Sequence, residues 1–173
     1  MRRVLVLGCP ASGKSTLAGK LALVTGLPLV HLDRLFWRPN WVEASEEEFR
    51  EDLTAELSKD AWIIDGNYGR TIALRLERAD TAILLDFPRW LCLGRAAKRS
   101  VMGWGRTRPD MGSACPEKLD PEFLRFIWTF GRDDRPKLLA ELDRFPGNKI
   151  VLRSQADATG FLSGLASEMN VKI

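Results

Sequence analysis

Apolar residues along this chain cluster in two alternating patterns. Short, unbroken β-type runs predict strands over residues 4–7, 29–32, 62–65, 81–86 and 149–152. Between them the apolar residues take a helical spacing. Leu17, Ala18, Leu21, Ala22 and Val24 mark a helix after the first strand, stopped by Gly26-Leu27-Pro28. Ser45-Glu46-Glu47-Glu48 is a capping box, and Phe49, Leu53 and Leu57 follow at four-residue spacing. Asp120-Pro121 supplies an N-cap and a first-turn proline for a helix carrying Phe123, Leu124 and Ile127, whose pattern continues past Gly131 to Leu142. Phe161, Leu162 and Leu165 mark the last helix. Strands alternating with helices predict an α/β fold with a parallel sheet and crossover helices, one domain over residues 1–173 without repeats or linkers. Residues 102–118 break the pattern with three glycines and several basic side chains. A structureless stretch of that length between helices predicts an active-site lid.

Composition narrows the class without changing the fold. With 45% hydrophobic and 28% charged residues the chain reads as an ordinary soluble domain. The net charge of +3 is uneven: residues 89–137 hold 11 Lys/Arg against 6 Asp/Glu. That marks a cationic segment rather than a nucleic-acid-binding protein as a whole. Cys9, Cys92 and Cys115 have neither metal nor disulfide spacing, which fits a reducing cytoplasm; Cys9 is expected as an exposed thiol without a catalytic part. Met1-Arg2-Arg3 precedes only four apolar residues, short of the ~7–15 of a secretory signal. No run approaches the ~18 apolar residues of a membrane span, so no membrane partner is expected.

The chemistry begins where the first strand meets the first helix. Gly8-Cys9-Pro10-Ala11-Ser12-Gly13-Lys14-Ser15 is a complete G-x-x-x-x-G-K-S loop, followed by Thr16. Strand, glycine loop and helix together aim backbone N–H groups at one anion. Gly8 and Gly13 are expected to admit phosphate without a Cβ clash, Lys14 to reach the β- and γ-phosphates, and Ser15 to ligate Mg²⁺. The loop therefore predicts a nucleoside triphosphate site.

Two carboxylates at strand ends, Asp65 and Asp86, fit the acid that serves Mg²⁺; Gly66 after Asp65 favours it by admitting ligand, and adjacency to the first strand would decide. Asp33 ends the second strand, where open α/β sheets bind ligands. It either accepts the proton of a hydroxyl acceptor or caps a turn. Trp37, Pro39 and Trp41 either line an acceptor pocket or pack the next helix; His31 reads as a packed strand residue with no role. Arg95 and Arg99, four apart, and Arg132 and Arg135, three apart, flank the lid stretch and suit a clamp on transferring phosphate.

These residues resemble adenylate-kinase-type P-loop kinases, and more closely the topology-modulation (FlaR-related) group. The resemblance rests on residues 8–16, on His31-Leu32-Asp33 with Trp37-Arg38-Pro39 and Trp41, on Trp62-Ile63-Ile64-Asp65-Gly66-Asn67-Tyr68, on Leu85-Asp86-Phe87-Pro88-Arg89, and on Arg108-Pro109-Asp110-Met111 with Cys115-Pro116-Glu117-Lys118. It implies a P-loop NTPase fold with a five-stranded parallel sheet in the order 2-3-1-4-5 and a mobile lid. It also implies ATP and Mg²⁺ as cofactors, with Ser15 and Asp65 at the metal and Ser154-Gln155-Ala156 near adenine. The acceptor would meet Asp33, Arg34, Trp37, Arg38, Asn67, Tyr68 and Arg70. The chain departs from adenylate kinases in one extra residue between Gly66 and Arg70, in Asp33-Arg34 after the second strand, and in a lid with one cysteine and no zinc set. The guanine-reading Asn-Lys-x-Asp is missing, which favours ATP over GTP. The expected activity is ATP-dependent phosphoryl transfer to a small-molecule acceptor, a nucleotide or nucleoside among the candidates. The rival reading is an ATP-binding regulator of DNA topology with little turnover, although nothing resembles a nucleic-acid recognition element. Monomer and dimer both remain open.

Overall fold

A computed structural model describes residues 1–171; the last two residues of the expected 1–173 domain lie outside it. In chain order the first half runs β1 (Arg3–Gly8), α1 (Lys14–Thr25), β2 (Leu29–His31), α2 (Leu32–Phe36), β3 (Trp37–Arg38), β4 (Val42–Glu43), α3 (Glu46–Leu57) and β5 (Trp62–Asp65). The second half runs α4 (Ile72–Arg78), β6 (Thr81–Leu85), α5 (Arg89–Met102), α6 (Pro121–Asp133), α7 (Arg135–Arg144), β7 (Asn148–Leu152) and α8 (Gln155–Glu168).

Five strands form one parallel sheet in the order β2-β5-β1-β6-β7. Taken in chain order within that sheet they run second, third, first, fourth, fifth. The labels differ from the expected 2-3-1-4-5 because a two-stranded antiparallel pair, β3–β4, intervenes. Helices cover both faces of the sheet, so its central strands need to be apolar throughout. Accordingly β5 and β6 are buried at every residue, and so is β1 after Arg3. Leu5, Leu7, Ile63, Ile64 and Ile83 have no exposed surface and form the middle of the core.

Local signals set the helix ends. Ser45 and Glu48 exchange the two bonds of the expected capping box at α3, and the Asp120 side chain accepts from the N–H groups of Glu122 and Phe123 at α6. The expected helix from Pro121 to Leu142 is instead two. Pro136 has no N–H to continue the ladder, so α6 ends at Asp133 and α7 begins beside the proline. Leu32, expected at the end of the second strand, opens α2.

Residues 102–118 are folded onto the β3–β4 hairpin. Asn40 N–H donates to the Ala114 carbonyl (2.9 Å), Trp41 Nε1 to that of Pro116 (3.0 Å), and Arg34 Nε to that of Pro109 (2.8 Å). Gly112 sits so close that a Cβ there would stand 2.0 Å from the Trp37 carbonyl oxygen. No helix among the described residues is long and apolar enough to cross a membrane.

Candidate functional site

A cleft of about 1920 Å³ opens beyond the carboxyl ends of β1, β2 and β5. Single small-molecule sites commonly span ~300–1,000 Å³, so this one has room for two ligands. Its floor at one end is the phosphate loop. Ala11 at φ 59° and Gly13 at φ 101° turn the chain into α1, whose start no side chain caps. The orphan N–H groups of that first turn face the cleft. Among the described residues the Ser12 hydroxyl is buried without a partner, and Lys14 Nζ bonds only the Cys9 carbonyl at 3.1 Å. Burial lowers the Lys14 pKa, against the pull of Asp65 and Asp33. An uncapped helix start, an orphaned hydroxyl and a cation bonded to a carbonyl form a donor set that fits a polyphosphate.

Gly8 does something different from what its motif position predicts. A Cβ there would come within 2.4 Å of the Leu85 carbonyl oxygen, so the glycine is required by close packing against β6. The Asn67 side chain clasps the same peptide, accepting from Gly8 N–H (3.1 Å) and donating to its carbonyl (2.7 Å). Gly66, which lines the cleft, is also required by a neighbour: at φ 128°, a Cβ there would meet Leu32 Cβ at 2.9 Å. Cys9, expected as an exposed thiol, is buried.

Adjacency to β1 does not separate the two strand-end acids, because β5 and β6 both flank it. Their partners do. Asp65 is 5% exposed and lines the cleft, where one oxygen stands 2.6 Å from His31 Nδ1. Asp86 lies outside the cleft wall, gripped by both guanidinium arms of Arg135 at 2.7 and 2.6 Å. That bidentate pair holds the Asp86 pKa low. Arg135 is thereby committed, and Arg132 points outward to Asp133 at 2.6 Å. Neither lines the cleft, so the structure does not bring them together with Arg95 and Arg99 as the expected clamp would.

Arg95 and Arg99 do line it. Arg95 donates to the Ser12 carbonyl (2.7 Å) and to Gln155 (2.9 Å), tying α5 to the phosphate loop and to the start of α8. Arg99 stands 3.2 Å from Glu117 of the lid stretch, and Arg108 lies against the same carboxylate.

On the acceptor side of the cleft Asp33 is half-buried, with one oxygen accepting from the Tyr68 hydroxyl (2.6 Å). Burial raises its pKa; the Tyr68 hydrogen bond and Lys14 pull the other way. Trp37 and Trp41 line the wall beside it, meeting edge to face with ring centres 5.4 Å apart, while Trp37 also packs on Phe36. Asn67, Tyr68 and Arg70 line the cleft as well, although Arg70 is exposed and paired with Glu46 at 3.2 Å. Arg34 and Arg38 do not; they face Pro109 and Asp52.

Three participants escaped the sequence reading. His31 pairs with Asp65 across 34 positions; burial alone would lower its pKa, but the bond and charge of Asp65 raise it. The signal was its place at the end of a strand, where such sheets bind ligands. Arg108 was visible in a basic stretch and in the Arg108-Pro109-Asp110-Met111 run that carries the resemblance, but with no role attached. Arg75 has no exposed surface, and its guanidinium donates to the carbonyls of Gly66 (2.8 Å), Asn67 and Tyr68 (3.2 Å). It holds the loop that carries Asn67 and Tyr68. An arginine beside Leu76 on the apolar face of a short helix was its only trace.

No protein-family model matches this chain, and no curated protein matches it. Solved structures do. A shikimate kinase from Acinetobacter baumannii in complex with shikimate is 16% identical, with 98% of this chain and 94% of that one covered and a TM-score of 0.59. A gluconokinase from Sinorhizobium meliloti is 14% identical over 98% of this chain and 95% of its own, with a TM-score of 0.56. A shikimate kinase from Bacteroides thetaiotaomicron is 14% identical over 98% and 99%, with a TM-score of 0.51. At such identities the similarity is one of fold: the chain has the α/β fold of P-loop small-molecule kinases, as its sequence predicts.

Proposed function

We propose that the protein is an ATP-dependent phosphotransferase acting on a small-molecule acceptor. One observation carries the reading: a single cleft joins an uncapped, cationic helix start to a half-buried carboxylate, Asp33, on its acceptor side. Lys14 and Arg95 hold the triphosphate, and Arg99 and Arg108, paired with Glu117, line the acceptor side of the cleft. The residues fit a metal as well; Mg²⁺ held by Ser15 and Asp65, directly or through water, would neutralise charge between the β- and γ-phosphates. His31 fixes the orientation of the Asp65 carboxylate.

Asp33 receives the proton as the acceptor oxygen bonds to the γ-phosphorus and the bridging oxygen leaves with ADP. Tyr68 occupies one Asp33 oxygen and leaves the other to the acceptor. Burial that raises the Asp33 pKa brings it nearer the range in which a general base is effective. The lid stretch over the acceptor end excludes water, the competing acceptor. The fold shared with a shikimate kinase and a gluconokinase supports a small metabolite as acceptor. The regulator reading drew on the basic stretch, and Asp86, Glu117 and Asp133 answer four of its arginines.

Lys14→Ala tests the proposal. It is expected to weaken ATP binding about a hundredfold or more by calorimetric titration, on the scale of removing a charge-assisted contact from a desolvated site. An unchanged titration would overturn the nucleotide assignment and the activity with it.

A further inference from the structure

Cations in the cleft differ in whether a carboxylate answers them. At the phosphate loop, Lys14 bonds the Cys9 carbonyl at 3.1 Å, and Arg95 bonds the Ser12 carbonyl at 2.7 Å and the Gln155 side chain at 2.9 Å. Neither cation forms an ion pair with a carboxylate among the described residues, so both remain able to bond an arriving anion.

The acceptor end is the reverse. Arg99 stands 3.2 Å from Glu117, and Arg108 holds Asp110 at 2.8 Å while also lying against Glu117. Arg70 reaches Glu46 at 3.2 Å and Arg38 reaches Asp52 at 3.3 Å. Arg34 is turned onto the Pro109 carbonyl, and Lys118 sits 5.7 Å over the Trp41 ring at the rim. Of these, Arg70, Arg99 and Arg108 line the cleft already neutralised, and with them stands Asp33, for which Tyr68 is the one side-chain hydrogen-bond partner among the described residues. Asp65 adds a second carboxylate nearby, and both lie within reach of the Lys14 charge.

An anionic acceptor would therefore bring like charge against the Asp33 carboxylate, while the cleft-lining guanidiniums on that side, Arg70, Arg99 and Arg108, are each already paired with an acid. An ionised carboxylate accepts hydrogen bonds and donates none. Its best complement is a hydroxyl. Resting on the kinase reading above, the geometry points to an acceptor that is uncharged and hydroxylated, with one hydroxyl on Asp33 and a flat or apolar face against Trp37. Neutral sugars, polyols and nucleosides meet that description. Sugar acids, sugar phosphates and nucleoside monophosphates do not.

Pairs of acceptors that differ only by an anionic group test this on the unmodified protein. Glucose with gluconate, glucose with glucose 6-phosphate, and adenosine with AMP serve, within a panel of neutral sugars, polyols and nucleosides and their charged counterparts. Transfer of label from γ-³²P-ATP gives kcat/KM for each member. The neutral member is expected to exceed its charged counterpart about tenfold or more, the scale of one like-charge contact at partial screening. Glu117→Gln, which frees Arg99 of its acid while Arg108 keeps Asp110, is expected to narrow that ratio about fivefold on the same scale. Preference for the charged member overturns the acceptor class and leaves the kinase reading standing. Transfer to no member, with ATP binding intact, removes both.

Discussion

Asp33 concentrates a conflict between stability and chemistry in one side chain. Burial raises its pKa in the folded chain, so the folded state binds its proton more tightly than the unfolded state does. Ionised at neutral pH it destabilises the fold, and that penalty fades as the pH falls through the folded value. Asp33→Asn keeps an acceptor for the Tyr68 hydroxyl and removes the charge. It is expected to raise the thermal midpoint by about 2–4 °C at neutral pH, the effect of ~1 kcal/mol in a chain of this size, and to lower transfer about a hundredfold or more. Scanning calorimetry and the labelled-phosphate assay check the two halves; an unstabilised variant with full activity would make Asp33 a structural residue. At this scale the sequence was legible only where function is contiguous. The phosphate loop is eight consecutive letters. The partners of Asp65, Glu117 and Gly66 come from 34, 18 or 9 positions away, His31, Arg99 and Arg75 respectively, and no local pattern announces them.

Elements were legible where burial is uniform. The strands β1, β5 and β6 are apolar because both sheet faces are covered, and residues 62–65 match their prediction at both ends. The β3–β4 hairpin was invisible because each strand has two residues and its packing partner lies in residues 102–118. That junction depends on Gly112. Gly112→Ala would place a methyl group 2.0 Å from the Trp37 carbonyl oxygen, so the lid stretch must lift off the hairpin. The core is untouched, so the variant is expected to fold and bind ATP while kcat/KM falls about tenfold or more, as ~1.4 kcal/mol or more of positioning is lost. Equal kcat/KM would mean that the hairpin contact has no part in transfer. Arg75 plays the corresponding part from below. Removing it as Arg75→Met orphans carbonyls of residues 66–68, and unfolding in urea is expected to show a loss of about 3 kcal/mol. Arg75→Lys keeps a charge but cannot span the same fork, and is expected to recover only part of that loss.

Across the whole molecule the cationic segment turned out to be structural as much as functional. Arg135 ties the start of α7 to Asp86 at the end of β6, joining two parts of the chain 49 residues apart. The Arg135 interaction depresses the folded pKa of Asp86, so the stability it contributes is present above the unfolded value and is lost as pH falls through the folded one. Arg135→Ala is therefore expected to cost about 0.5–1 kcal/mol at pH 7, and the gap from the unmodified protein to close progressively below about pH 4. Urea titrations at both pH values measure it; a gap that persists in acid would assign the cost to packing. The parallel α/β class was legible because strands alternate with helices, and the strand order only through the family resemblance, whereas the direction in which each arginine of a basic stretch turns depends on neighbours that only folding supplies. The first letter of the phosphate motif carries its own lesson for experimenters. Since a methyl group at Gly8 would collide with the backbone of β6, alanine there is a lesion of the architecture, and lost nucleotide affinity in such a mutant diagnoses a warped sheet rather than a missing contact. Motif scans that score this glycine as evidence of a ligand are, in this fold, also scoring the scaffold.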